Sequence, residues 1–180
     1  MVARAKTSNG GRAQTRTRTR TVTTMKRCVK CKANRVHPVE LAETVSVGTI
    51  DFEATVDGFR CDACDEEYLD GQDTHKLEML VSKWLAQHGV ATREAFRFMR
   101  KAVGLRAADL AALLDVTPET VSHWETGKTE IPRNAVAILG TVVLEQATGS
   151  TDTLDRLRLL REGPKVVKSR RVRLSRAAHA

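Results

Sequence analysis

Three features are scarce or missing in this sequence of 180 residues. No run of about 18 apolar residues occurs, which argues against a membrane-spanning helix; the longest candidate, residues 135–144, is interrupted by Gly140 and Thr141. The first 24 residues lack the apolar core of a signal peptide, so we expect an intracellular, cytoplasmic protein. The only four cysteines lie in two Cys-x-x-Cys pairs, which disfavours a disulfide-stapled secreted scaffold and favours a metal site.

Acidic residues are absent from the first 36 positions, which hold 11 basic residues. Residues 37–90 reverse this balance with 12 acidic and 3 basic residues, and residues 161–180 are basic again. Basic ends with little apolar content bind polyanions through counterion release, so nucleic acid is the first partner to consider. A solvated tail with no specific partner explains the ends about equally well.

Apolar periodicity predicts a β-hairpin followed by helices. Alternation on both sides of Gly48 and Thr49 indicates two short strands joined by a turn. Helical spacing from an N-cap at Thr74 to Gly89 predicts a helix that links two domains. Further helices are predicted from Thr92 to Gly104, around Leu110, from Thr117 to Gly127, from Pro132 onward, and around Leu154, Leu157 and Leu160.

The two cysteine pairs predict a single metal site. Cys28-x-x-Cys31 and Cys61-x-x-Cys64 supply four thiolates, and the 29 residues between the pairs leave room for a hairpin that brings them together. Four sulfurs in a closed tetrahedron are typical of one structural zinc ion, with iron in a rubredoxin-like cage as the alternative. Because a small hairpin has little core, metal binding should supply much of this module's folding free energy.

Residues 104–132 read GLRAADLAALLDVTPETVSHWETGKTEIP, two short helices that meet at Asp115 and Val116. This segment resembles the helix-turn-helix of phage-repressor-like (Cro-type, XRE) proteins. The resemblance implies that the second helix enters the major groove of DNA. Its candidate base readers are Thr117, Glu119, Thr120, Ser122 and His123. Lys128 and Arg133 are candidate phosphate contacts, while Val121 and Trp124 should face the core.

Two positions depart from the family's pattern. Ala107 replaces a glutamine that many relatives place against a phosphate, so Arg106 or backbone N–H groups must take its role. Asp115 stands where a glycine is usual in the turn, and aspartate tolerates the left-handed conformation better than most residues. Glu119 can accept a hydrogen bond from cytosine, or it can serve only as a favourable charge at a helix N-terminus.

The order of these parts resembles the MqsA-type antitoxins, also described as YgiT-type zinc-finger proteins. Specific similarities are Met25-Lys-Arg-Cys28, the segment GFRCDACDEE at 58–67, and the segment FMRKAVGL at 98–105. The resemblance implies a homodimer that represses a palindromic operator through its C-terminal domain and neutralises a small ribonuclease toxin through its zinc domain. Dimerisation could bury Val142, Val143 and Leu144, or the last helix.

Together these observations predict an α+β fold, a small N-terminal zinc-ribbon β-hairpin module followed by an all-α helix-turn-helix domain. The expected divisions are a basic disordered arm (1–25), the zinc module (26–72), a linker helix (73–90), the DNA-binding domain (91–162) and a basic disordered tail (163–180). Alternative functions are a regulator of the same build without a toxin, or an RNA-binding or protein-adaptor zinc ribbon. We expect no enzymatic activity, since no thiol remains free and no catalytic triad or carboxylate pair is recognisable.

Overall fold

A computed structural model describes residues 27–163. They form β1 (Val36–Val47), β2 (Ile50–Cys61), β3 (Glu67–Tyr68), α1 (Gly71–Gln87), α2 (Arg93–Ala102), α3 (Ala107–Leu113), α4 (Pro118–Thr126), α5 (Arg133–Gln146) and α6 (Asp152–Glu162). This order confirms the predicted α+β class, a hairpin near four cysteines followed by helices. The predicted arm, residues 1–25, and nearly all of the predicted tail lie outside the described residues.

The hairpin is longer than the sequence suggested. β1 and β2 pair antiparallel over 12 residues each, from Val36 opposite Cys61 to Val47 opposite Ile50. Gly48, with a positive φ of 63°, begins the two-residue turn that was predicted between them. The short β3 pairs with the end of β2, and two residues are too few to leave a periodic signal in the sequence.

One face of the hairpin continues the helical core. Val47 is buried in the same apolar cluster as the helices, and Val45, Ile50 and Phe52 pack against it. The Phe52 and Trp84 rings meet edge to face at a centroid distance of 5.2 Å. The turn end of the hairpin therefore rests on helices, whereas the cysteines lie at the other end of two strands about 40 Å long.

The helix predicted as a linker corresponds to α1, and it is part of the core. Leu77, Val81 and Leu85 are buried, and α1 packs against α2, α5 and β2. These leucine and valine side chains share one cluster with Phe96 of α2 and Leu139 of α5. The linker boundaries, residues 73–90, stay a prediction, but α1 itself packs as part of the helical domain.

Helix starts follow the capping rules, with one correction. Thr92 and Thr117 are N-caps as predicted, and each hydroxyl accepts the N–H of the third residue that follows, at 3.2 Å. The predicted N-cap at Thr74 is wrong. Asp70 begins α1 instead, because its carboxylate accepts the Asp73 N–H at 2.8 Å, and Thr74 lies one turn inside the helix.

The last two helices differ in which of their apolar residues they bury. Leu154 of the predicted last helix is buried, whereas Leu160 is 72% exposed and does not face the core. Val142 and Val143 are buried within the chain's own core, so they cannot form a dimer interface. Among residues 27–163, no helix is both long enough and apolar enough to cross a membrane.

Candidate metal centre and nucleic-acid interface

The two cysteine pairs adopt the same backbone structure. In the first, the Lys32 N–H donates to the Cys28 carbonyl at 3.0 Å, and in the second the Asp65 N–H donates to the Cys61 carbonyl at 2.8 Å. Both Lys32 and Asp65 have a positive φ, 63° and 55° respectively. Each pair therefore curls through an equivalent tight turn, and the two halves of the cluster are pseudo-symmetric.

The four sulfurs form one cluster of the size that a metal ion requires. All four Sγ atoms lie within 4.8 Å of one another. The Cys28 and Cys64 sulfurs are 3.7 Å apart, and the Cys31 and Cys61 sulfurs are 3.6 Å apart. A tetrahedron with metal–sulfur bonds of about 2.3 Å has edges of about 3.8 Å, whereas a disulfide would need about 2.05 Å. The donor set fits a tetrahedral metal ion.

Backbone N–H groups and a lysine favour thiolate in part of this cluster, whereas burial and the neighbouring cysteine side chains raise the pKa of Cys64 to about 12. The Cys31 N–H points at the Cys28 sulfur at 3.5 Å, and the Ala63 N–H points at the Cys61 sulfur at 3.4 Å. The backbone N–H of Cys31 is the largest cause that lowers the pKa of Cys28 to about 6. Lys30 bridges the two pairs through an ion pair with Glu66 at 2.6 Å, which places a positive charge beside the sulfurs.

The helices α3 and α4 meet at a left-handed turn, as the sequence predicted. Asp115 has a φ of 55°, and Gly127, which ends α4, has a φ of 74°. Val121 and Trp124 are buried, and the Trp124 ring meets Phe96 edge to face at 6.0 Å. This buried stripe fixes which face of α4 is turned outward.

The opposite face of α4 carries the predicted base readers. Glu119 and Ser122 are exposed, and Thr120 and His123 are partly exposed beside them. Thr117 is also exposed, but its hydroxyl caps the helix by accepting the Thr120 N–H. The N–H of Glu119 itself, the Thr117 hydroxyl and His123 lower the pKa of the Glu119 carboxyl. At neutral pH Glu119 is therefore an ionised acceptor at the helix N-terminus.

A family model described as helix-turn-helix matches residues 96–139, which run from α2 into α5. Residues 96–139 are a helix-turn-helix domain. Comparisons with curated proteins and with solved structures give no match. A domain of this family supports the interpretation that the protein is a DNA-binding regulator. The resemblance to MqsA-type antitoxins stays a prediction.

The predicted phosphate contacts of the helix-turn-helix domain differ in how available they are. Lys128, in the loop after α4, and Arg133, at the start of α5, are exposed. The Arg106 guanidinium is paired with Asp109 through two contacts of 2.8 Å, and this pair lowers the pKa of Asp109 to about 2. Arg106 would have to leave Asp109 to reach a phosphate, so it is the weakest of the three candidates.

Sequence reasoning missed the arginines of α2 that hold the recognition helix α4. Arg100 is only 7% exposed, and its guanidinium contacts Glu125 on α4 at 2.5 and 3.0 Å and also donates to the Leu105 carbonyl. Arg93 reaches the Thr126 carbonyl at the end of α4. A buried ion pair that is fully hydrogen-bonded fixes orientation more than it adds stability. Arg93, Arg97 and Arg100 recur at i, i+4 and i+7 on one face of α2, and this spacing was the available signal.

Proposed function

We propose that this protein is a zinc-stabilised, sequence-specific DNA-binding repressor that acts as a homodimer on a palindromic operator. The observation that carries the proposal is α4 itself. Its inner face is locked into the core by Val121 and Trp124, and its outer face presents polar side chains that nothing in the described chain covers. A helix held in this way at the end of a helix-turn-helix is suited to the major groove.

The metal in this proposal is zinc, held by Cys28, Cys31, Cys61 and Cys64. Zinc suits an all-sulfur tetrahedron and needs no redox partner, and four protein ligands leave no position for a reactive water. The zinc ion therefore holds the cysteine end of the hairpin together, and we propose no enzymatic role for it. Reduced thiolates require a reducing compartment, and we propose the cytoplasm. Iron instead of zinc would be recognised by its colour and by elemental analysis.

The DNA contacts in this proposal divide into two classes. Glu119, Ser122 and His123 read base edges, with Thr117 and Thr120 at the helix N-terminus. Lys128 and Arg133 bind phosphates and set the position of the protein on the duplex, and Arg106 joins them once it is released from Asp109. Only substitutions of the residues that read base edges should change which DNA sequence the protein prefers.

A salt-series titration tests the repressor function. The metal-loaded protein is titrated with the DNA upstream of its own reading frame and with a scrambled duplex of the same length. The upstream DNA should bind about a thousandfold more tightly at physiological salt. If both duplexes bind alike and lose affinity together as salt rises, the basic residues dominate, and the RNA-binding or adaptor function becomes the better explanation.

His123→Ala should weaken binding to the upstream DNA by about 1–3 kcal/mol and leave binding to the scrambled duplex almost unchanged, because a base reader contributes only to the specific complex. Thr141→Ala is the matched control, since Thr141 is exposed on α5 and its hydroxyl donates to its own helix. Equal losses on both duplexes would show that His123 does not read bases.

One specific observation favours a second candidate function, that of an antitoxin for a small basic ribonuclease. The exposed residues of β1 and β2 include Glu40, Asp51, Glu53 and Asp57, and the single exposed basic residue of the two strands is Arg60, at the cysteine end, where it pairs with Asp65 and Glu67. A face of one charge sign attracts a partner of the opposite sign and repels DNA. Plain solubility is the simpler explanation for this face.

The antitoxin candidate predicts that a toxin-sized protein encoded next to this one binds the outward face of the hairpin. Reversing two charges, Glu40→Lys with Glu53→Lys, should weaken that complex at least about tenfold while operator binding is unchanged, because the helix-turn-helix is not touched. Glu78→Lys on α1 is the control for a charge reversal elsewhere. Undiminished toxin binding by the double variant would exclude this face, and the absence of any such neighbour would leave a regulator without a toxin.

A further inference from the structure

The four cysteines of the cluster differ in their access to solvent. Cys28 and Cys61 are fully buried, whereas Cys31 is exposed and Cys64 is partly exposed. Each Cys-x-x-Cys pair therefore contains one buried cysteine followed by one accessible cysteine. A small molecule in solution meets Cys31 before it meets the other three.

Two sulfur contacts across the cluster each join an accessible cysteine to a buried one. The Cys31 and Cys61 sulfurs are 3.6 Å apart, and the Cys64 and Cys28 sulfurs are 3.7 Å apart. Both contacts run between the two Cys-x-x-Cys pairs, and together they use each sulfur once. A disulfide has an S–S distance of about 2.05 Å, so the sulfurs of each contact need to approach by about 1.6 Å. Each accessible sulfur thus has a buried sulfur beside it with which a disulfide can form.

Contacts outside the sulfurs hold the two halves of the cluster next to each other. The Lys30 ammonium pairs with the Glu66 carboxylate at 2.6 Å, and the Asp62 N–H donates to the Arg35 carbonyl at 2.9 Å. An exposed ion pair and one hydrogen bond contribute too little to replace a metal ion. They do keep the two halves in register during the step in which a first disulfide forms.

We propose that the cysteine cluster is an oxidation site for hydroperoxides, at which two disulfides take the place of the metal. The Cys31 thiolate attacks the O–O bond and takes up a hydroxyl group as a sulfenic acid, and the hydroxide or alkoxide that leaves is protonated by water. The Cys61 thiolate then attacks the Cys31 sulfur, and hydroxide leaves as the disulfide forms. A second hydroperoxide joins Cys64 to Cys28 in the same way. Each disulfide gives up two electrons, which one hydroperoxide accepts.

This inference rests on the proposed function, in which the reduced cluster holds zinc. Zinc is bound by thiolates, so sulfurs that are joined in disulfides release it. Both disulfides connect the two Cys-x-x-Cys pairs, as the metal does, and the cysteine end of the hairpin stays closed. A dithiol reductant reverses the disulfides and restores the site. The helices lie at the other end of the hairpin, against Val47 and Ile50, and they should stay folded in both states.

The test treats the full zinc-loaded chain with hydrogen peroxide and measures released zinc with a chromogenic chelator. All four cysteines of the chain lie in the cluster, so every thiol lost belongs to this site. Excess peroxide should release about one zinc ion per chain and leave no free thiol. Dithiothreitol followed by zinc should restore the metal content. This recovery is the control for methionine oxidation, which is reversed by dedicated reductases and not by a simple dithiol.

Tryptic peptides identify which disulfides form. Cleavage after Lys30 separates Cys28 from Cys31, whereas no lysine or arginine lies between Cys61 and Cys64. After limited peroxide and alkylation of the remaining thiols, the linked peptides should join Cys31 to Cys61, with Cys64 alkylated. Disulfides within the Cys-x-x-Cys pairs, or a first disulfide that lacks Cys31, would overturn the proposal. Zinc that stays bound in excess peroxide would do the same.

Titrations with DNA separate this inference from the proposed function. If the wild type shows no preference for the upstream DNA, but peroxide releases its zinc and forms the two disulfides, the oxidation site stands and the repressor function fails. If the wild type binds the operator specifically and peroxide leaves the zinc in place, only the oxidation site is wrong.

Discussion

Trp124→Ala is expected to lower the free energy of unfolding of the helical domain by about 3–5 kcal/mol. Trp124 is 5% exposed, and its ring is packed against Phe96 between α4 and α2. Truncation removes most of the apolar contact that holds the recognition helix against the core, and it leaves a cavity that the short helices cannot close. Urea denaturation at fixed protein concentration, followed by circular dichroism, measures the loss.

The second tryptophan supplies the control for this variant. Trp84 on α1 is 40% exposed, although it contacts Phe52 and stacks on His88. Trp84→Ala should therefore cost clearly less, since a large part of the ring already faces water. Specific DNA binding should fall with Trp124→Ala and persist with Trp84→Ala. Similar losses of stability for the two variants would contradict the placement of Trp124 in the core.

Cys61→Ser is expected to abolish tight metal binding and to unfold the cysteine end of the hairpin, while most of the helical domain survives. Cys61 is fully buried and is both a cluster sulfur and the last residue of β2. The wild type should retain about one zinc ion per chain after dialysis against a weak chelator, and the variant should retain almost none. Elemental analysis measures the loss of metal. Melting curves recorded from near-ultraviolet and far-ultraviolet signals measure how much of the chain unfolds.

The length of the hairpin limits how much of it should unfold when the metal is lost. Val47 and Ile50 are packed on the helices at the turn end, far from the cysteines, so that end should stay folded without metal. Ala63→Ser is the control, because Ala63 is exposed between the two cysteines and its N–H to the Cys61 sulfur is kept. Normal zinc content in Cys61→Ser would exclude a four-thiolate site, and complete loss of helix would show that the metal supports the whole chain.

Features that depend on neighbouring residues could be predicted without coordinates. Thr117 and Pro118 begin a helix and Gly127 ends it because capping, a proline at the first helical position and a positive φ act over a few residues. The four-cysteine site was predictable for a related reason. Two equal Cys-x-x-Cys spacings form the same turn twice, and the hairpin between them brings the two turns together.

The start of α1 shows where local signals compete. Asp70 and Thr74 are both acceptable N-caps, and the structure selects Asp70, one turn earlier than predicted. The length of the hairpin was underestimated because the alternation of β1 begins near residues, such as His37 and Pro38, that give no clear apolar period. Errors of this kind fall at the ends of elements, where several residue choices have similar free energies.

Local patterns thus determined the class of fold, the cluster of four cysteines, the helix-turn-helix and most helix boundaries, because each depends on residues close together in the chain or on a repeated local motif. Only the tertiary structure decided that α1 belongs to the helical core, that Arg100 is buried against Glu125, and that Val142 and Val143 of α5 are unavailable to a partner. The exposure of Leu159 and Leu160 was decided in the same way. An apolar residue with helical spacing has the same signal whether it faces the protein's own core or another molecule, and only the packing of distant elements distinguishes the two.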